Sequence, residues 1–224
     1  MDTKTVVLAS NNKGKIAELA THLQEFGLNV VGLEAFPEIP EVEETGVTFE
    51  ENALLKACTI ARLTGLVAVA DDSGLEVDAL NGAPGVYSAR YAAGDDSILP
   101  NKPEAGKDER NNAKLLIALE GLPQEQRTAR FRCTMAVAKP VALLEGSNEH
   151  IKEYATEHMT TTGAWEGTIA TAPQGENGFG YDPLFVDSIS GRHAAELTKA
   201  EKHERSHRGK ALAAMLASWN DFIK

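Results

Sequence analysis

Apolar residues recur at two different periods along the chain. Residues 5–9, TVVLA, form a short unbroken apolar run, which predicts a buried strand. Ile16, Leu19, Ala20, Leu23 and Phe26 then fall at helical spacing, and Gly27 closes that helix. Residues 30–33 predict a second strand, and the acidic, proline-broken stretch EAFPEIPEVEETG predicts a loop. TFEENALLKACTIARLTG predicts a helix ended by Gly65, followed by a third buried strand, LVAVA, at residues 66–70. Strand, helix, strand, helix, strand is the order of an α/β fold with a largely parallel start.

The second half changes character. In RTARFRCTMAVA the residues Ala129, Phe131, Cys133, Met135 and Val137 share one face of a strand, while Arg130, Arg132 and Thr134 share the other. GAWEGTIA and PLFV predict further strands, and the chain ends in a helix carrying Leu212, Met215, Leu216 and Trp219. The sheet is therefore expected to be mixed, with strands extending into a second lobe. Residues 94–107 and 146–162 are expected to be mobile surface loops. No internal repeat or low-complexity segment stands out.

Composition narrows the classes of function. The 224 residues suffice for one large domain or one domain with two lobes, and 42% apolar with 25% charged residues is ordinary for a soluble protein. A net charge of −11 argues against a general nucleic-acid binder but leaves room for a local anion pocket. Cys58 and Cys133, far apart in apolar patterns, read as buried free thiols of a reducing compartment. No signal-peptide pattern and no apolar run of membrane-spanning length occurs, so a cytoplasmic protein without a membrane partner is expected.

The candidate chemistry sits where strands are expected to end. VADDSG puts Asp71, Asp72, Ser73 and Gly74 after the third strand, and SNNKGK opens a helix after the first. Ligands of open α/β sheets lie outside the carboxyl ends of strands, so both stretches are expected to face one crevice. The first offers carboxylates for a hard divalent cation or for a water that must lose a proton. The second offers a helix N-terminus with Lys13 or Lys15, suited to phosphate, although it is not the G-x-x-x-x-G-K-[ST] loop. Metal-binding carboxylates beside phosphate donors suggest a metal–polyphosphate substrate.

Other readings of these residues stay open. Asp71 and Asp72 can form an Asx turn, and Lys13 and Lys15 can be solvated. Thr48-Phe49-Glu50-Glu51 fits a capping box, in which Glu51 serves the helix start. His207 and Arg208 can be a surface pair. In NGFGYDP, the glycines admit a flat ligand close to the backbone and Phe179 can stack on it. EKHERSHRGKAL gathers Lys202, His207, Arg208 and Lys210, with Ser206 a candidate cap for the last helix.

Taken in order, SNNKGK, TFEENALLKA, ADDSGLEVDALNGAPGVYSARYA, NGFGYDPLF and SHRGKAL resemble the inosine triphosphate pyrophosphatase family, from Val6 to about Leu212. These enzymes hydrolyse non-standard purine nucleoside triphosphates. The resemblance implies a single two-lobed domain over residues 1–224. It implies an α/β fold with a long mixed sheet and flanking helices forming two lobes around an active-site cleft. It further implies a homodimer, Mg²⁺, and cleavage of ITP, dITP or XTP to a monophosphate and pyrophosphate.

Residue by residue, Ser10, Asn11, Asn12, Lys13, Gly14 and Lys15 match the loop that holds the triphosphate. Asp72 matches the proton acceptor and metal ligand, with Ser73 beside it in the substrate site. Glu51 matches a second acidic residue near the metal, against its capping reading. Phe179, Gly180, Tyr181 and Asp182 match the base-binding stretch, and Lys202, His207 and Arg208 the remaining nucleotide contacts. GDDSILPNKPEAGKDER and LLEGSNEHIKEYATEHMTTTG depart from the usual form. Alternatives are a Maf-like pyrophosphatase for other modified bases and a non-catalytic nucleotide sensor; a nucleic-acid-binding module is disfavoured by charge.

Overall fold

The computed structural model describes residues 4–10, 13–144 and 153–224, with the side chains of residues 13–15, 17 and 18 outside the description. Asn11 and Asn12 of the expected triphosphate loop therefore lie outside the described residues, as does 145–152 of the expected second loop.

β1 (Thr5–Leu8) leads into α1 (Lys13–Glu25) and returns as β2 (Asn29–Gly32). α2 (Phe49–Thr64) feeds β3 (Val67–Val77). α3 (Lys107–Ala118), β4 (Thr128–Leu143), β5 (Tyr154–Ile169) and β6 (Phe185–Asp187) follow, and α4 (Lys199–Arg205) and α5 (His207–Ile223) close the chain. The strand order is β2-β1-β3-β4-β5-β6. β1 is parallel to both β2 and β3, with Val7 opposite Val31 and Ala68, whereas β6 is antiparallel to β5. The expected mixed sheet with a parallel start is what forms.

The chain divides into two compact units, Met1–Asp72 with Thr134–Thr162 and Ala211–Lys224, and Ser73–Cys133 with Gly163–Lys210. The first has a core of small side chains. Ala53, Ala57, Ile60 and Ala61 on α2 meet Val7, Ala68, Ala70, Ala136 and Ala138 of the sheet. Small residues on both surfaces let a helix lie close to strands. The second has an aromatic core, in which Phe131 lies 4.6 Å from Phe185 and Trp165 5.1 Å from Phe185, ring centre to ring centre. Leu115 and Leu119 of the α3 segment complete it.

Several expectations need correction. β3 does not end at Ala70 but runs on through Asp71 and Asp72 to Val77, so the two acids lie within a strand and form no Asx turn after it. Residues 154–162, expected as loop, are the first half of β5. Residues 94–106 are turns, as expected, but Lys107 already begins α3, a helix absent from the sequence reading. Phe26 lies past the end of α1 and is 40% exposed, while Leu19 and Leu23 of the same stripe are buried. On β4 the supposedly polar Thr134 is buried, because beyond it both faces of the strand are covered. Cys58 is half-buried rather than buried; Cys133 is buried as expected.

Candidate active site

The first unit builds a polar centre around Asp72. A capping box starts α2: the Glu51 backbone N–H donates to Thr48 Oγ1 at 3.1 Å, and Glu51 Oε2 accepts from Thr48 N–H at 3.3 Å and Val47 N–H at 2.7 Å. Gly65, in the left-handed region at φ 67°, ends it. The alanine stripe turns one face of α2 to the sheet. Asn52 and Lys56, four residues apart at the edge of that face, reach β3. Asn52, fully buried, donates from Nδ2 to Asp72 Oδ2 at 3.1 Å and accepts the Gly46 N–H at 2.8 Å. Lys56 Nζ donates to the Asp71 carbonyl at 2.7 Å and to Glu44 Oε1 at 2.8 Å, and stands 3.8 Å from Asp72 Oδ1.

Glu44, Asn52 and Lys56 were not singled out from the sequence. The helical spacing of Asn52 and Lys56 was a usable signal. Glu44 lies in a proline-rich loop with no periodicity, and only the fold brings it to Lys56. Glu51 is where its capping reading puts it, and Glu44 is the carboxylate that shares a lysine with Asp72. Among the described residues no group of three or more His, Cys, Asp or Glu side chains converges on one point. One or two carboxylates is nevertheless the protein share that Mg²⁺ ordinarily takes, with water and phosphate oxygens supplying the rest. The Asp72–Glu44 pair fits that donor set.

The second unit builds a platform around Phe179. Phe179 is 44% exposed, with Lys202 Nζ 5.3 Å and the Arg208 guanidinium carbon 5.9 Å from its ring centre. Asp182 is buried beneath, pairs with Lys202, and accepts the Phe179 N–H at 2.8 Å. Gly178 has φ 83°, and a Cβ there would collide with the Asp182 carboxylate; the turn requires glycine on both counts. Arg208 Nη2 donates to Ser73 Oγ at 3.1 Å. Ser206 accepts the Gly209 N–H at 3.0 Å and so caps α5, as the sequence suggested, presenting His207 and Arg208 in the first turn. His207 is buried and stacks on Phe131 at 4.9 Å and 16°.

Not every residue of the expected base-binding stretch faces outward. Tyr181 is buried in the core and its hydroxyl donates to the Ser88 carbonyl at 2.9 Å. Burial pushes its phenol well above the ordinary range, so it stays a neutral donor. Asp187 anchors α4 from below: it accepts from Trp165 Nε1 at 2.8 Å, Ser190 N–H at 2.9 Å and Arg205 at 3.0 Å. Desolvation pulls its carboxyl upward, but hydrogen bonds led by Ser190 and Trp165 outweigh it and hold the group at about 2. Ser10 follows β1, its N–H bonded to the Leu8 carbonyl at 3.0 Å. Lys13, Gly14 and Lys15 form the first turn of α1.

The fold and these two centres define a mixed-sheet α/β protein with a carboxylate–lysine centre and an aromatic–cationic platform. The chain belongs to the Ham1 family, whose sequence pattern matches residues 6–218. A Nitratidesulfovibrio vulgaris protein named dITP/XTP pyrophosphatase is 57% identical over 222 residues, covering 99% of each chain. A Geobacter sulfurreducens protein of the same name is 49% identical over 94% of each. Among solved structures, the Staphylococcus aureus Ham1 protein superposes with a TM-score of 0.78 at 37% identity, covering 98% of this chain and 100% of that one.

Proposed function

We propose that this protein hydrolyses non-standard purine nucleoside triphosphates, dITP, ITP and XTP, to the monophosphate and pyrophosphate, and so cleanses the nucleotide pool. The observation that carries this reading is the Phe179 platform, with cationic donors gathered beside an exposed ring, in a family whose relatives are named for dITP and XTP. A 6-oxo purine stacks on the ring and offers acceptors to Lys202 and Arg208; adenine would turn an amino group toward them. A site built on such hydrogen bonds discriminates by roughly 10⁴. Ser10, the adjoining loop and Lys15 hold the triphosphate at the start of α1, where backbone N–H groups and the helix dipole favour anions.

Asp72 acts as the general base, taking the proton from the water that attacks the α-phosphorus. Asn52 and Lys56 keep its carboxylate in place. Mg²⁺, held by Asp72 and Glu44, would neutralise charge on the polyphosphate. Glu51 supports the centre by fixing the start of α2, with the metal role expected of it passing to Glu44. The protein works as a cytoplasmic homodimer; no helix among the described residues is long and apolar enough to cross a membrane. Hydrolysis of dITP, XTP, ITP, ATP and GTP, each with and without Mg²⁺ and with products separated, tests the reading. Pyrophosphate from the first three in Mg²⁺ is expected. Orthophosphate release, or ATP cleaved as fast as dITP, would overturn it.

A further inference from the structure

Asp182 fixes one end of the turn that carries Phe179, but at Gly180 little packs against it. A Cβ built on Gly180 would meet no heavy atom within 4 Å. A cavity of about 410 Å³ opens between this turn and α3, lined by Phe179, Gly180, Asp108 and Asn112. With so little packed against it, the peptide at Gly180 must be held by hydrogen bonds or move.

Two side chains of α3 supply those bonds. The Gly180 N–H donates to Asp108 Oδ2 at 2.8 Å, and Asn112 Nδ2 donates to the Gly180 carbonyl at 2.9 Å. Asp108 and Asn112 are four residues apart, so they share a helix face and grip one residue from both its polar ends. The helix is itself fixed. Leu115 is buried in the aromatic core, and Asn111, also buried, accepts the Ala92 N–H at 2.8 Å and donates to the Ser88 carbonyl at 3.2 Å. That same carbonyl takes the Tyr181 hydroxyl. Gly180 and Tyr181, the two residues that follow Phe179, thus hang from one mount.

We propose that Asp108 and Asn112 are positioning residues for base recognition: their clamp on Gly180 sets the height and tilt of the Phe179 ring against the bound purine. They touch no reacting atom. The inference rests on the reading that Phe179 carries the base. It gives α3 a role that its sequence did not disclose.

The test is steady-state hydrolysis of dITP by the wild type and by Asp108→Ala, Asp108→Asn, Asn112→Ala and Phe179→Ala. Inhibition by inorganic tripolyphosphate, which has no base, and melting temperature are measured alongside. Loss of a hydrogen bond to a charged acceptor predicts that Asp108→Ala raises KM about tenfold, with kcat changed less than about twofold and tripolyphosphate inhibition unmoved. Asp108→Asn, which still accepts the N–H, should recover most of the loss, and Asn112→Ala should raise KM by about threefold. If Phe179→Ala raises KM while Asp108→Ala and Asn112→Ala leave it alone, the clamp is refuted and the platform stands. If Phe179→Ala itself leaves KM unchanged, the platform reading falls, and the clamp with it. A fall in kcat together with weaker tripolyphosphate inhibition, tracking a lowered melting temperature, would reduce Asp108 to a purely structural residue and also overturn the proposal.

Discussion

Asp72 and Asp182 are both buried aspartates that meet a lysine, five residues after a capping-box N3 glutamate in the first case and one residue after it in the second, yet their surroundings differ. Asp72 lies within β3, meets Lys56 only at 3.8 Å, and takes one amide from Asn52. Asp182 lies under a glycine turn, pairs closely with Lys202, and takes the Phe179 N–H. The first is a carboxylate held at the edge of a helix–sheet contact made thin by alanines. The second is the keystone of a turn and is spent on structure. Burial beside a cation therefore does not mark a catalytic acid by itself; what the carboxylate holds in place matters as well.

The largest effect separating the two should come from Asp72→Asn. Asparagine keeps the size of the side chain but removes the base, so kcat should fall at least about 10²-fold with the melting temperature nearly unchanged. A variant turning over at the wild-type rate would return Asp72 to the same class as Asp182.

Phe179→Ala should come next. Base–aromatic stacking of about 1–3 kcal/mol predicts a KM for dITP raised roughly ten- to a hundredfold, with kcat affected far less. Because stacking tolerates any base, KM for dATP should rise in parallel. A rise confined to dITP would mean that the ring reads base identity.

A pH titration of stability probes the platform's foundation. The folded-state pKa of Asp187 is depressed to about 2, so its contribution is fully present above the ordinary carboxylate pKa and is lost as pH falls from about 4 through about 2. The stabilisation at stake is about 2 kcal/mol. Asp187→Asn should flatten that part of the acid limb of the unfolding curve. Equal acid limbs in wild type and Asp187→Asn would contradict the assignment.

The smallest contrast is between the two glutamates of the first unit. Glu44→Gln should raise the Mg²⁺ needed for half-maximal rate about tenfold, as expected for a group helping to hold the ion. Glu51→Ala should instead lower stability by about 1 kcal/mol through loss of the capping box, and Glu51→Gln, which can still complete the box, should change little. A raised Mg²⁺ requirement in Glu51→Gln would restore the metal role that the family resemblance gave it.

What the sequence disclosed follows from where periodicity carries information. TVVLA and the VAVA run of β3 were legible because buried parallel strands read as unbroken apolar stretches. α2 was legible from its box, its stripe and Gly65. The sequence places the end of β3 too early because aspartates are depleted in strands, while here Asn52 and Lys56 from α2 hold the Asp72 carboxylate, Lys56 also takes the Asp71 carbonyl, and the strand continues. The first half of β5, YATEHMTTT, alternates no apolar face and so reads as loop, although its threonines suit a half-exposed strand. α3 begins at Gly106 with no side-chain cap, so nothing announced its start. Phe179, Lys202 and Arg208 stand out in local composition, but Glu44 and Asp108 meet their partners Lys56 and Gly180 across 12 and 72 residues of chain and show themselves only once the chain is folded.

The central claim is a division of labour: Asp72 drives cleavage, and the platform chooses the base. Its most direct test is the ratio of kcat/KM for dITP over dATP in Asp72→Asn and in Lys202→Met, both checked for folding by melting temperature. In Asp72→Asn the account predicts a rate reduced at least about 10²-fold and a ratio within about threefold of wild type. In Lys202→Met it predicts a ratio reduced at least about tenfold, with kcat for dITP largely kept. A ratio that collapses in Asp72→Asn, or one that survives in Lys202→Met while both substrates slow together, would contradict it.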